Sequence, residues 1–204
     1  SNVTSMASMF ANTGLSNSNY DSLLIGWAAL TLQSTVNFDA GTSEFCFGAT
    51  AKTTIETAYN WIITDGGENC ADTFITTWQT DNPGASAMNE ITIPTTGTGY
   101  LYDVDWGDGS ISTNVTGTIN HSYAVPGTVT VKIRGSFPRI FFNNTGDKDK
   151  ILSVDNWGAI AWTSMEGAFY GCENIAVVAP DAPDLSGVMS MRQLFKGAIT
   201  FNDD

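Results

Sequence analysis

Apolar residues between Asn19 and Leu30 recur at helical spacing: Leu23, Trp27 and Leu30 fall four and three positions apart, on one stripe. Asn19 is the expected N-cap of this helix, and Asp21 suits its positive end. A second helix is expected from Ala49 or Thr50, carrying Ile55 and Tyr59. The strand-like run Trp61-Ile62-Ile63-Thr64 follows, then the turn Asp65-Gly66-Gly67. From about Phe74 the pattern changes to alternation of period two, in Ile91-Thr92-Ile93, in the run from Tyr100 to Trp106 and in the run from Gly127 to Ile133. Separated by Gly, Pro and Asn turns, these runs predict the strands of a β-sandwich.

A second periodicity is longer. The stretch from Thr163 to Cys172 aligns with that from Met189 to Ala198, and Met165 and Met191, like Phe169 and Phe195, stand 26 residues apart. The opening of the chain fits the same template, because Val3-Thr4-Ser5-Met6 is followed by Phe10 four residues after the Met. Met and Phe at i and i+4 share one face of a short helical turn, and the Gly or Asn two residues later suits a left-handed position that ends it. One such unit is too small to bury that face alone, whereas stacked units bury it between them, as in a solenoid. Met6, Phe10, Met165, Phe169, Met191 and Phe195 are therefore the candidate stacking residues.

These motifs resemble the 26-residue leucine-rich repeats of BspA-type bacterial surface proteins. The matching residues run from Ser1-Asn2-Val3-Thr4-Ser5-Met6 through Met9-Phe10, and from Met189-Ser190-Met191 through Leu194-Phe195 and Gly197-Ala198 to Phe201-Asn202. The segment Asn19 to Trp27 and the stretch from Cys46 to Cys70 resemble the terminal cap of such arrays. In an oxidising compartment Cys46 and Cys70 are expected to form a disulfide, with two buried free thiols as the alternative. Between the repeats, Val104-Asp105-Trp106-Gly107-Asp108-Gly109-Ser110, followed by His121-Ser122-Tyr123-Ala124 and by Pro126 to Val131, resembles a PKD-type immunoglobulin-like domain, with Val129 in place of the usual aromatic. Asp105 and Asp108 then flank a tight turn, and Trp106 plugs the core.

The resemblances imply a mainly β chain with short helices, in which leucine-rich-repeat solenoid segments flank a PKD-like β-sandwich. The implied segments are a last repeat and C-terminal cap at 1–72, the sandwich at 73–145, and the first repeats of a following solenoid at 146–204. PKD-type domains are usually spacers or contact modules, which argues for a connector.

Composition narrows the function. With 42% hydrophobic residues, no apolar run approaches the roughly 20 residues a bilayer span needs, so membrane insertion is not expected. Eight Lys and Arg against twenty-one Asp and Glu give a net charge of -13, which repels phosphate backbones and anionic lipids and argues against nucleic-acid binding. Charged residues are only 14% of the chain, and 26 Thr, 17 Ser and 20 Gly occupy solvated positions instead, a composition that reads as β-rich and extracellular. The start of the chain lacks the basic and apolar regions of a secretory signal peptide.

An enzyme is not expected. The single histidine, His121, lies inside the PKD-like motif, where it is expected to hydrogen-bond within the sandwich, and no pair of carboxylates is marked as facing across a cleft. Asp103, Asp105 and Asp108 offer hard oxygen ligands near one turn and form a weak calcium candidate beside a purely structural reading. No other cofactor is indicated. Cys172 reads as a small core residue, and Asp147-Lys148-Asp149-Lys150 reads as a solvated linker.

Together these features point to a non-enzymatic structural or adhesive segment of a secreted or surface-displayed bacterial tandem-repeat protein or filament. Its partners are expected to be copies of itself or adjacent repeats, with Ser1-Asn2-Val3-Thr4 continuing the array that Phe201-Asn202-Asp203-Asp204 leaves open. The alternative is a carbohydrate- or protein-binding module of a secreted adhesin, contacting host or environmental glycans or proteins.

Overall fold

Ser16, rather than Asn19, caps the first helix: its extended backbone precedes the first turn and its hydroxyl accepts from the Asn19 N–H at 3.4 Å. The computed structural model describes residues 3–202; Ser1 and Asn2 of the opening motif, and Asp203 and Asp204, lie outside them. The described chain is mainly β with two short helices, and it divides into two units, Ser1–Cys70 and Ala71–Asp204.

In the first unit the elements run α1 (Asn17–Ala28), β1 (Asn37–Asp39), β2 (Glu44–Phe45), α2 (Ala49–Tyr59), β3 (Ile62–Thr64) and β4 (Gly67–Glu68). β1 pairs with β3 and β2 with β4, both in parallel. Helix α1 buries Tyr20, Asp21 and Leu24, whereas Leu30 lies beyond the helix and is 56% exposed, so the expected stripe ends at Trp27. The buried Asp21 carboxylate accepts from the N–H groups of Cys46 and Gly48 at 2.9 and 2.8 Å, which satisfies free donors at the entry to α2. Phe38 is the hub of this core, with Trp27 and Phe10 edge-on to it at 5.0 and 6.2 Å. A Cys46–Cys70 disulfide with a Cα separation of 5.1 Å closes the loop that holds α2 and β3. On the loop-entropy model a closure of this length is worth about 3 to 4 kcal/mol.

The second unit contains β5 (Phe74–Gln79), β6 (Glu90–Ile93), β7 (Leu101–Asp105), β8 (Ile111–Val115), β9 (Ile119–Ser122), β10 (Thr128–Ser136), β11 (Ile151–Asn156) and β12 (Ala176–Val177). Six of them form one sheet in the order β12-β11-β5-β10-β7-β8, and β6 pairs with β9 separately. The period-two pattern is realised on β5, where Phe74, Thr76 and Trp78 are buried in alternation. Ile91 and Ile93 of the smaller sheet join the same core as Trp78, Trp106 and Val131.

The boundary expected between residues 145 and 146 does not divide this unit. β11 pairs antiparallel with β5 on one side and parallel with β12 on the other, so a strand from the expected repeat segment completes the sheet of the expected sandwich. Its buried residues Ile151 and Val154 share one core with Phe74 and Phe169.

The run Asp147–Lys150 is likewise no solvated linker, because Asp147 is 1% and Lys150 0% exposed. The Lys150 ammonium donates to the carbonyls of Ser86, Ala87 and Glu90 at 3.3, 2.7 and 2.8 Å and to the Ser86 hydroxyl at 2.8 Å. The Asp147 carboxylate accepts from the Ser86 and Thr92 N–H groups at 2.9 and 2.7 Å. Alternating charges look like a solvated run in sequence; here the first and last of them are buried and paired with the backbone of residues 86–92. The approach is tight, since a Cβ on Gly84 would lie 2.6 Å from both Asp147 and Lys150.

Candidate functional site

Among the described residues the 26-residue repeats form no α-helix, and a short 3-10 helix at Thr200–Asn202 follows the second turn segment. Residues 163–172 and 189–198 are strings of i to i+3 turns, with Ala168 donating to Met165, Cys172 to Phe169, Leu194 to Met191 and Ala198 to Phe195. Left-handed residues four apart explain this, because each interrupts the right-handed dihedrals a helix needs. Gly167 and Gly171 have φ of 63° and 82°, and Gln193 and Gly197 have 61° and 76°. The opening segment repeats the device in the first unit, with Ser8 and Asn12 both at 61°. Asn12, Gly171 and Gly197 are the positions the Met-to-Phe spacing singles out; Ser8, Gly167 and Gln193 are not marked by any shared residue type.

Successive segments of the second unit are joined by a backbone ladder whose central bonds donate forward along the chain, while Met189 and Thr200 at its margins donate back to Thr163 and Glu173 at 3.2 Å. Met165, Gly167, Phe169 and Gly171 give their N–H groups to the carbonyls of Ser190, Arg192, Leu194 and Lys196 at 2.8 to 2.9 Å. One step earlier, Phe142 and Asn144 donate to Ala168 and Tyr170 at 3.1 and 2.7 Å, the equivalents of Leu194 and Lys196. The side chains follow the backbone. Phe142, Phe169 and Phe195 make consecutive ring contacts at 6.3 and 5.5 Å, and the Arg192 guanidinium reaches back to the Glu166 carboxylate at 2.7 and 2.9 Å. That contact, strengthened by a Ser190 hydrogen bond, holds the Glu166 carboxyl below the usual range.

Burial records how many neighbours each segment has. Met165, Ala168, Phe169 and Cys172, which lie between two neighbouring segments, are 0 to 1% exposed. In the following segment Met191 is 49% and Met189 92% exposed, and Phe195 is half-buried. In the first unit Met6 bridges to Phe38 in parallel and donates to Asn37 at 2.9 Å, and Phe10 donates to Asp39 at 3.0 Å, while Met9 is 52% exposed. Val3, Met6, Trp27, Leu30, Leu32 and Trp61 line an apolar pocket of about 350 Å³ beside this segment.

The three aspartates named as a calcium candidate do not converge. Asp103 accepts from the Asn114 N–H at 3.0 Å and faces Arg134 Nε at 3.5 Å. Asp105 is buried and accepts from Gly107 N–H at 3.0 Å, and Asp108 accepts from Ser110 N–H at 2.9 Å. Among the described residues no group of three or more His, Cys, Asp or Glu side chains is gathered as metal ligands would be.

His121 instead lies 2.7 Å from Asp108, stacks on Trp106 at 4.8 Å and meets the Tyr123 ring edge-on at 4.7 Å. Burial pushes the Asp108 carboxyl up, but the hydrogen bonds from His121 and Ser110 outweigh it and the net pKa is lowered. Cys172 is a free, fully buried thiol whose pKa burial raises.

Residues 136–204 are similar to a family described as Mycoplasma protein of unknown function, DUF285. That stretch contains β11 and both turn segments of the ladder. No curated protein and no solved structure matches the chain.

Proposed function

We propose that this chain is a non-enzymatic, extracellular structural or adhesive segment of a bacterial tandem-repeat surface protein or filament, with BspA-type leucine-rich repeats stacking beside a PKD-type sandwich and joining head-to-tail. One observation carries the reading: the segments at 163–172 and 189–198 pair their backbones over alternate residues from Met165 to Gly171 and line up Phe142, Phe169 and Phe195 in consecutive ring contacts. Such a ladder adds length with each repeat, and many weak contacts in series give avidity without a strong single site. The low charge content, the net charge of -13 and the Cys46–Cys70 disulfide support an oxidising, extracellular setting.

Polypeptides of one, two and three linked copies, compared by small-angle scattering, test this reading. The maximum dimension is expected to grow in step with copy number. Three copies hardly longer than one would overturn it.

A glycan-binding module is the second reading, supported by the apolar pocket between Trp27 and Trp61. Saturable binding of one glycan class to a single copy on an array, lost in Trp27→Ala, would favour it.

A further inference from the structure

The exposed segments at 3–11 and 189–198 carry complementary backbone groups, and we propose that residues 189–198 of one chain dock onto residues 3–11 of a second copy in a single register. The inference rests on the repeat-stacking reading above and supplies its partner and geometry.

In the ladder the donors are Met165, Gly167, Phe169 and Gly171. Their equivalents one period later are Met191, Gln193, Phe195 and Gly197, and among the described residues no carbonyl accepts from these four N–H groups. The ladder's acceptors are Ser190, Arg192, Leu194 and Lys196, and aligning Met191 with Met6 makes Ser5, Ala7, Met9 and Ala11 their counterparts. Among the described residues no N–H group donates to those four carbonyls. One segment thus offers four donors and the other four acceptors, at the same alternate spacing. The matched left-handed pairs, Gln193 with Gly197 and Ser8 with Asn12, give both segments the same backbone course.

Two identical faces meeting would set donor against donor and leave the amides unpaired, so the contact joins unlike segments of the two copies and can propagate. The side chains agree with this polarity. Met189, Met191 and Ile199 are exposed on the donor segment, and Val3 and Met9 on the acceptor segment, so apolar surface meets apolar surface. Residues 3–13 carry no charged side chain, and Arg192, already paired with Glu166, would lie over Ala7.

Met191→Asp blocks the donor segment and Met9→Asp the acceptor segment, both at half-exposed positions that leave the core intact. In sedimentation velocity the unmodified chain is expected to gain mass with concentration, each variant alone to remain monomeric, and their equimolar mixture to form a dimer and nothing larger. A monomeric unmodified chain at millimolar concentration, a monomeric mixture, or a single variant that still forms chains would overturn the proposal.

Register is read by cysteines. Stacked strands bring aligned Cα atoms to about 4.8 Å, inside the roughly 4.4 to 6.8 Å range of a disulfide. Lys196→Cys is therefore expected to cross-link under mild oxidation to a chain carrying Ala11→Cys and not to one carrying Ser8→Cys; the reverse preference would refute the register. Linked copies that extend in scattering while free copies fail to dock would remove this interface and leave the surface-segment reading standing.

Discussion

Phe169 and Phe195 stack with their ring centroids 5.5 Å apart and their planes within 7° of parallel, although 26 residues of chain separate them. The contact is the side-chain counterpart of the hydrogen bond from the Phe169 N–H to the Leu194 carbonyl, so backbone and ring are held by the same alignment. The two rings are not equivalent energetically: Phe169 is fully buried, with Phe142 on its other side, and Phe195 is half-buried.

Phe169→Ala is therefore expected to cost about 3 to 5 kcal/mol, the range for deleting a buried Phe side chain. Phe195→Ala should cost clearly less. Urea unfolding of the two variants side by side measures the difference, and equal losses would mean that the ladder does not bury the middle ring preferentially.

Gln193 holds a left-handed backbone, φ 61°, at the position where the preceding segment has Gly167 at 63°. A side chain in that region costs roughly 1 to 2 kcal/mol, so Gln193→Gly is expected to stabilise the second unit by about 1 kcal/mol. Gly197→Ala, at φ 76°, should destabilise it by a similar amount. Thermal melts of both variants check the signs, which must be opposite.

Lys150 sits among four oxygen acceptors with no exposed surface. Burial lowers its pKa, and the acceptors are what hold the charge in place. Lys150→Met keeps the volume but strands three carbonyls and the nearby buried Asp147, and a loss of about 3 kcal/mol is expected in equilibrium unfolding. A stability unchanged by the substitution would show that the cluster is solvated.

The Asp108–His121 contact makes a pH-dependent contribution whose sign is fixed. The native carboxyl pKa is lowered from 3.8, so the native state holds its proton less tightly than the unfolded chain. The contact then stabilises the fold above the unfolded value and stops doing so as pH falls through the native one. Asp108→Asn is expected to melt at a lower temperature than the parent near neutral pH, and the two melting curves should converge in acid. A gap that persists in acid would assign the loss to packing.

Much of the architecture was legible in the chain. Helix α2, the alternating strands and the 26-residue spacing of Met and Phe all announce themselves by periodicity, because each depends on side chains recurring on one face. What escaped detection depends on partners distant in sequence. Ser16 and Asn19 are both acceptable caps, and only the chain's entry into α1 decides between them. Ile151 to Val154 is too short to separate a strand from a repeat connector until β5 lies beside it. Lys150 reads as solvated because its carbonyl partners lie more than 50 residues away. The left-handed pairs were half visible: Gly or Asn marks the second member of each, whereas Ser8, Gly167 and Gln193 share only a dihedral angle.

The backbone ladder also bears on heredity. Two of its four central links recur at the same relative positions one segment earlier, so a duplication of 26 codons between Met165 and Met191 would give the added segment partners of the kind its neighbours already have. A duplication of that length would extend the product by one whole segment and leave the reading frame unchanged.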